Sequence, residues 1–216
     1  MIIIAGQREW VKEATESNCL KYVSTLESIK DLPHSAWIFF VHWSDKIPEE
    51  IYNRYICVGF HMTDLPYGRG GSPLQNLIIR GFKETKLTAF KITKDFDFGP
   101  IYLQKQLTLD GTAHEIYRRA STMAVEMAQE IYLTKPIPAP QRVITDNDEK
   151  FIRRKPEQSH VHYAKRGEES TYDFIRMLDA PGYPHAFIGG ATWKIVFTAA
   201  KLEDGKLMAR AEFKWL

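Results

Sequence analysis

Three short apolar runs decide what this chain can fold into. Ile2-Ile3-Ile4-Ala5, residues 36–41 (AWIFFV) and residues 55–60 (YICVGF) are rich in β-branched and aromatic side chains and carry no charge. A strand with one wet face would alternate polar and apolar residues, so unbroken runs of this length read as strands buried on both faces. Helical patterning lies between them: over residues 8–16, and in a short helix near 48–53 with Pro48 at its first turn, where a missing N–H is tolerated. Buried strands separated by helices predict an α/β fold, a doubly wound, Rossmann-like, mostly parallel sheet.

The pattern continues with a helix over 74–80, a strand over 87–92 and an alternating strand nearer an edge over 101–109. A long helix is predicted from about 112 to 132, where Ile116, Ala120, Met123, Met127 and Ile131 recur at helical spacing. The prolines at 136, 138 and 140 cannot continue it. The chain therefore divides into a core at 1–134, a linker at 135–150 and a small C-terminal α+β/β subdomain at 151–216. That subdomain holds a helix over 170–178 and strands over 192–199 and 206–213, with Asp204-Gly205 between them.

At 216 residues one packed core is feasible. Lys and Arg number 29 against 27 Asp and Glu, a net charge of +2. This argues against an extended nucleic-acid footprint, which shows as a strongly basic surface, and fits a phosphorylated small molecule. Cys19 and Cys57 are too few for a disulfide scaffold and lack metal-binding spacing, which suits a reducing compartment. The N-terminus MIIIAGQREW lacks the basic and apolar regions of a signal peptide. No window approaches the roughly 20 apolar residues of a membrane span. The expected setting is the cytoplasm, with no membrane partner.

The stretch 59–73, GFHMTDLPYGRGGSP, sets one histidine just past the end of the third apolar run, with Gly68, Gly70 and Gly71 behind it. Ligands of open α/β sheets bind beyond the carboxyl ends of the strands, where His61 falls, and imidazole titrates near neutrality. Taken alone, His61 reads more simply as a structural histidine, and Asp97 as a turn residue before Gly99. The Gly-Arg-Gly-Gly run lacks the pattern of a phosphate loop. His160 and His162 alternate as on a strand, but no third ligand accompanies them, and no metal is expected.

Five ordered blocks change the balance. His61-Met62-Thr63-Asp64-Leu65-Pro66 is followed by Arg69-Gly70-Gly71-Ser72-Pro73, and Asp97-Phe98-Gly99-Pro100 begins 36 residues after the histidine. Residues 151–159 (FIRRKPEQS) follow, then Ile175-Arg176 with Tyr183-Pro184-His185-Ala186-Phe187. Over about residues 36–198 this chain resembles the N10-formyltetrahydrofolate-dependent formyltransferases in block order and spacing. The resemblance implies N10-formyltetrahydrofolate as co-substrate. It makes His61 general base or oxyanion donor, with Asp97 orienting it and steadying the imidazolium. It places Phe40, His42, Thr63, Asp95 and Gly99 on the folate side, and Arg69, Gly70, Arg153 and Arg154 toward the acceptor. Arg69 either fixes its loop or faces a phosphate.

One position departs from the pattern. The family has Asn-x-His, its amide helping to polarise the formyl oxygen, whereas this chain has Gly59-Phe60-His61. Losing one oxyanion donor costs roughly 10²–10³ in rate. A backbone N–H, a water, His42 or Ser44 could take its place.

For the acceptor, the resemblance implies the amine of a nucleotide-linked amino sugar, UDP ahead of dTDP. The form of the 59–73 stretch resembles the enzyme type of pseudaminic-acid-like pathways, with a 4-amino-4,6-dideoxy hexose as acceptor and a homodimer as expected assembly. The short C-terminal region and near-neutral charge set this ahead of methionyl-tRNA formyltransferases, and the absence of a regulatory domain sets it ahead of formyltetrahydrofolate hydrolases. A folate- or nucleotide-binding module without catalysis is the rival of another class, supported by the missing asparagine.

Overall fold

The computed structural model describes all residues, Met1–Leu216. The chain forms two compact units. The first comprises Met1–Gly70, Thr85–Leu107 and Tyr117–Lys150, the second Gly71–Glu84, Thr108–Ile116 and Phe151–Leu216. The linear division expected at the proline-rich segment thus differs from these interleaved units at residues 71–84 and 108–116.

In the first unit the strands are β1 (Ile2–Gly6), β2 (Lys21–Val23), β3 (Trp37–Val41), β4 (Ile56–His61), β5 (Glu84–Lys91) and β6 (Ile101–Thr108), arranged β2-β1-β3-β4-β5-β6. β1 runs parallel to both β2 and β3, β3 runs parallel to β4, and β5 is antiparallel to β4. The chain moves outward from β1 to β2 and then back past β1 to β3. Such a reversal opens a crevice beyond the carboxyl ends of the flanking strands.

The three apolar runs are β1, β3 and β4, and both of their faces are covered. Ile3, Ala5, Ile38, Phe40 and Cys57 point one way, into a core shared with Ile29 of α2 (Glu27–Lys30) and Ile51 of α3 (Glu49–Arg54). Their neighbours Ile4, Phe39 and Val58 are in register across the sheet and, by the alternation of a strand, point the other way. Trp10 of α1 (Glu9–Ser17) stacks on Tyr117 of α5 (Ala113–Thr134) with ring centroids 5.7 Å apart. The long helix starts where its sequence directs. The Thr112 backbone N–H donates to Glu115 Oε2 at 2.7 Å, and the Glu115 N–H to Thr112 Oγ1 at 3.3 Å, a reciprocal cap. It ends at Lys135, whose φ is 47°, just before Pro136.

The second unit holds α4 (Pro73–Ile79), α6 (Glu168–Arg176) and the antiparallel sheet β7 (Ala186–Gly189), β8 (Trp193–Glu203) and β9 (Lys206–Trp215). Asp204 and Gly205 both have positive φ, 49° and 71°, the two-residue turn that matches strand twist in a hairpin. Arg176 is buried and paired: Nε donates to Asp173 Oδ1 at 2.6 Å, and Nη1 to the carbonyls of Leu109 at 2.5 Å and Gly111 at 2.8 Å.

β2, α2 and β7 are not visible in the sequence pattern. At three to four residues each they are shorter than the window in which a period shows. No helix is long and apolar enough to cross a membrane. Phe39, fully enclosed beside Trp37 and Phe60, gives the test of the core. Phe39→Ala is expected to lower stability by about 3–5 kcal/mol, read as a reduced urea midpoint.

Candidate active site

β4 ends at His61, and the chain then turns through residues 62–71. The His61 ring is 7% exposed and sits with Nε2 2.8 Å from the Gly68 carbonyl. A carbonyl oxygen can only accept, which assigns the proton of the neutral ring to Nε2. The basic nitrogen is therefore Nδ1, and it faces Asp97 Oδ1 at 3.7 Å. That gap exceeds a hydrogen bond but is an ion-pair distance once the ring is protonated.

Asp97 lies in the β5–β6 loop, with its side chain 15% exposed and a φ of 60°. Aspartate is among the few side-chain-bearing residues that accept this left-handed backbone. The conformation directs its carboxylate and its carbonyl to different partners. Carboxylate Oδ2 accepts from the Gly70 N–H at 2.9 Å, and Gly70 itself has a φ of 105° that suits glycine. The carbonyl accepts from Arg69 Nε at 3.1 Å and from Gln141 Nε2 at 2.7 Å. Gln141 Nε2 also reaches the Gly99 carbonyl at 2.9 Å, and Gln141 Oε1 accepts from Arg69 Nη2. Arg69 is buried with its guanidinium 3.6 Å over the Phe98 ring. Burial lowers its pKa from the ordinary value while the Asp97 charge opposes the shift. Of the two roles open to Arg69, loop fixing is the one these contacts perform. Gly99 is required by space, since a Cβ there would meet the Lys91 carbonyl oxygen at 1.6 Å.

His61, Arg69, Gly70, Asp97 and Gly99 are thus brought together, all within the first unit. Gln141 joins them. Its position in a proline-rich segment gave no sign of this, although it is the first residue with a hydrogen-bonding side chain beyond the prolines.

The other expected site residues make no hydrogen bond to this cluster in the contacts that follow. Phe40, expected on the folate side, is buried against Trp43, because the alternation of β3 turns it into the layer of α2 and α3. Thr63 is fully buried, its carbonyl accepting from Thr88 Oγ1 at 2.6 Å and its own hydroxyl without a hydrogen-bond partner. Asp95 lies exposed on the β5–β6 loop. In the second unit, Arg153 is exposed, whereas Arg154 donates to the Gln158 carbonyl and lies 5.7 Å over the Phe174 ring. Burial lowers the Arg154 pKa. His160 and His162 approach to 2.7 Å between Nδ1 atoms, but no group of three His, Cys, Asp or Glu side chains converges anywhere.

His42 follows β3 at φ 48°, edge-on to both Trp10 and Tyr117 with centroids 6.3 and 4.9 Å away. Burial pushes its pKa down to about 4, partly offset by a hydrogen bond with the Tyr117 backbone. The neutral ring is a structural element of this strand end. Ser44 is tied there as well, its N–H donating to Gln7 Oε1 at 3.2 Å.

The space beside Gly59 is occupied by carbon. A Cβ at Gly59 would meet Phe90 Cζ at 2.8 Å, Phe90 Cε1 at 3.0 Å and Ile92 Cγ1 at 3.3 Å. Phe90, cross-strand partner of Gly59, fills the position where an asparagine would begin.

Comparison with known proteins completes the description. A family model described as "Methionyl-tRNA formyltransferase, C-terminal domain" matches residues 156–214. The solved structure of methionyl-tRNA formyltransferase from Clostridium thermocellum is 39% identical with a TM-score of 0.88, and the match covers 99% of this chain and 98% of that one. The chain belongs to the formyltransferase family. Among curated relatives, the methionyl-tRNA formyltransferase of Wolbachia pipientis is 26% identical over 163 residues, covering 73% of this chain and 52% of the relative. The chain spans about half the length of the first curated relatives it matches. An N-formyltransferase of Helicobacter canadensis, solved with folinic acid and dTDP-3-aminofucose, shares the fold at 15% identity and TM-score 0.61, covering 98% of this chain and 99% of that one.

Two outcomes test this geometry. The unfolded chain takes up a proton on His42 near pH 6.5, but the folded one does so only near pH 4. Its contribution to stability is therefore complete above 6.5 and is lost as pH falls through that window, by up to about 3 kcal/mol. His42→Phe should flatten the fall in melting temperature between pH 7 and pH 5. Gly59→Asn should lower stability by about 1–3 kcal/mol through the clash with Phe90, and should give no gain in turnover in a formyl-transfer assay.

Proposed function

We propose that this chain is an N10-formyltetrahydrofolate-dependent formyltransferase that delivers the formyl group to a primary amine. The observation that carries this reading is the His61–Asp97 pair, 3.7 Å apart, with the imidazole proton assigned to Nε2 by Gly68 and the carboxylate held by the Gly70 N–H. The folate supplies the carbonyl that an amine attacks, and the side chains present fit that chemistry: an imidazole beside a carboxylate, both largely shielded from bulk water. His61 Nδ1 accepts the proton that the amine sheds. Asp97 stabilises the resulting imidazolium across a gap in which screening by water is weak. Arg69 and Gln141 keep the loop in register for this exchange. The folinic acid bound by the Helicobacter canadensis N-formyltransferase supports a folate donor.

For the acceptor, the comparisons support the aminoacyl amine of methionyl-tRNA over the nucleotide-linked amino sugar expected from the sequence. Both the family model over residues 156–214 and the Clostridium thermocellum structure carry the methionyl-tRNA name. That solved chain matches over nearly its whole length, so a short C-terminal region no longer separates the two acceptors. One observation still favours the sugar: 29 basic against 27 acidic residues leaves little of the positive charge that tRNA binding draws on. The UDP-linked 4-amino-4,6-dideoxy hexose of a pseudaminic-acid-like route is the form that this second reading takes, with Arg153 and Arg154 as acceptor contacts and a homodimer as the assembly.

The test is release of tetrahydrofolate from N10-formyltetrahydrofolate with charged initiator methionyl-tRNA and, separately, with UDP- and dTDP-linked amino sugars. Release with methionyl-tRNA alone supports the first reading, and release with a sugar nucleotide alone supports the second. Release without any acceptor indicates a hydrolase, and folate binding without release a binding module. His61→Ala should lower kcat by about 10²–10⁴-fold. Asp97→Asn should lower it severely as well. Asparagine tolerates the same backbone conformation, so the loss reports the missing charge. Near wild-type turnover in both variants would overturn the site.

A further inference from the structure

We infer that Gln141 is the positioning residue of this active site, set in place by a proline strap bridged to the first residue of β6. The inference rests on the formyl-transfer reading for its kinetic consequence. Its structural content stands separately.

The strap is the run Lys135-Pro136-Ile137-Pro138-Ala139-Pro140-Gln141, expected from sequence to be a linker. Prolines at 136, 138 and 140 have no N–H to donate and keep φ near −65°, so between 136 and 140 only Ile137 and Ala139 can donate from the backbone. Ala139 uses both its groups on β6: its N–H donates to the Ile101 carbonyl at 2.9 Å, and its carbonyl accepts the Ile101 N–H at 2.7 Å. This single antiparallel bridge pins the strap at the first residue of β6, directly after the Asp97–Pro100 turn. Two residues further on, the Gln141 amide is delivered over that turn.

There each atom of the amide has a partner of the correct polarity. Nε2 donates to the carbonyls of Asp97 and Gly99, and Oε1 accepts from Arg69, which also donates to the Asp97 carbonyl. The two donors on one carbonyl fix the orientation of the Asp97 peptide. That orientation holds a left-handed residue whose carboxylate meets Gly70 N–H and faces His61. Gln141 reaches neither the imidazole nor the carboxylate oxygens in these contacts, so it acts through Asp97. An aspartate free to rotate would lose the 3.7 Å approach to Nδ1 while the folate side stayed intact. Loss of the clamp should consequently appear in kcat more than in donor KM.

Two variants separate the arms of the amide. Gln141→Leu removes both, and Gln141→Glu keeps an acceptor for Arg69 but sets a carboxylate against the two carbonyls. In the full-length chain both should lower kcat by about 10–100-fold, with donor KM within about threefold of wild type. The Gly70 amide proton, which rests on Asp97 Oδ2, should exchange with deuterium at least about tenfold faster in both. Wild-type kcat together with wild-type Gly70 protection in folded Gln141→Leu overturns the inference. If that variant melts early, Gln141→Glu decides by the same two readouts. A wild-type protein that transfers no formyl group to any acceptor refutes the reading under Proposed function instead. The Gly70 exchange comparison then still decides whether Gln141 holds the Asp97 turn.

Discussion

The site depends on the backbone of one residue. Asp97 takes a φ of 60°, a left-handed conformation that costs an ordinary side-chain-bearing residue about 1–2 kcal/mol. In return its carbonyl and carboxylate point to separate sets of partners. The carbonyl is held by Arg69 and Gln141, the carboxylate by the Gly70 amide. A net contribution of about 1 kcal/mol per hydrogen bond is enough to offset the conformational cost. The end of β4, the glycine loop, the β5–β6 turn and the chain after α5 converge on this residue. Separated by up to 80 positions in sequence, they meet around Asp97, which faces His61 at 3.7 Å.

The sheet provides the rigid platform. Because β1, β3 and β4 are parallel and buried on both faces, their carboxyl ends finish together, and β4 places His61 there without a loop's freedom. The neighbouring strand end is closed differently. At β3, His42 is packed among aromatic rings and kept neutral by burial. Two histidines at the ends of adjacent strands therefore have opposite fates, set by what covers each: a carboxylate and polar loop for His61, indole and phenol rings for His42.

Much of this was legible in the sequence. The apolar runs gave β1, β3 and β4 because strands buried on both faces need no alternation to be seen. Asp204-Gly205 announced its hairpin and Thr112–Glu115 lies at the start of the long helix. His61 and Asp97 emerged only from the spacing of several blocks, since each alone has an ordinary explanation. Three features stayed hidden. The packing of Phe40 among α2 and α3 is set by the inward face of β3, which is fixed by register and which a single run does not reveal. The closure of the Gly59 position by Phe90 is a cross-strand contact between residues 31 apart. Gln141 lies in a segment whose composition signals the end of a helix and is silent about where the chain goes next. Acceptor choice was argued from charge and length, and a formyltransferase of matching extent removes the second of these.

The proline strap works as a ruler. With its single bridge at Ala139 and ring-locked torsions on both sides, the distance from that anchor to Gln141 is fixed by counting residues. Substitutions at outward-facing positions such as Ile137, which is almost wholly exposed, leave this measure untouched. Inserting or deleting one residue between Ala139 and Gln141 would carry the amide a full step, about 3 Å, off the turn it grips. The segment can thus vary in surface chemistry while its length is held constant.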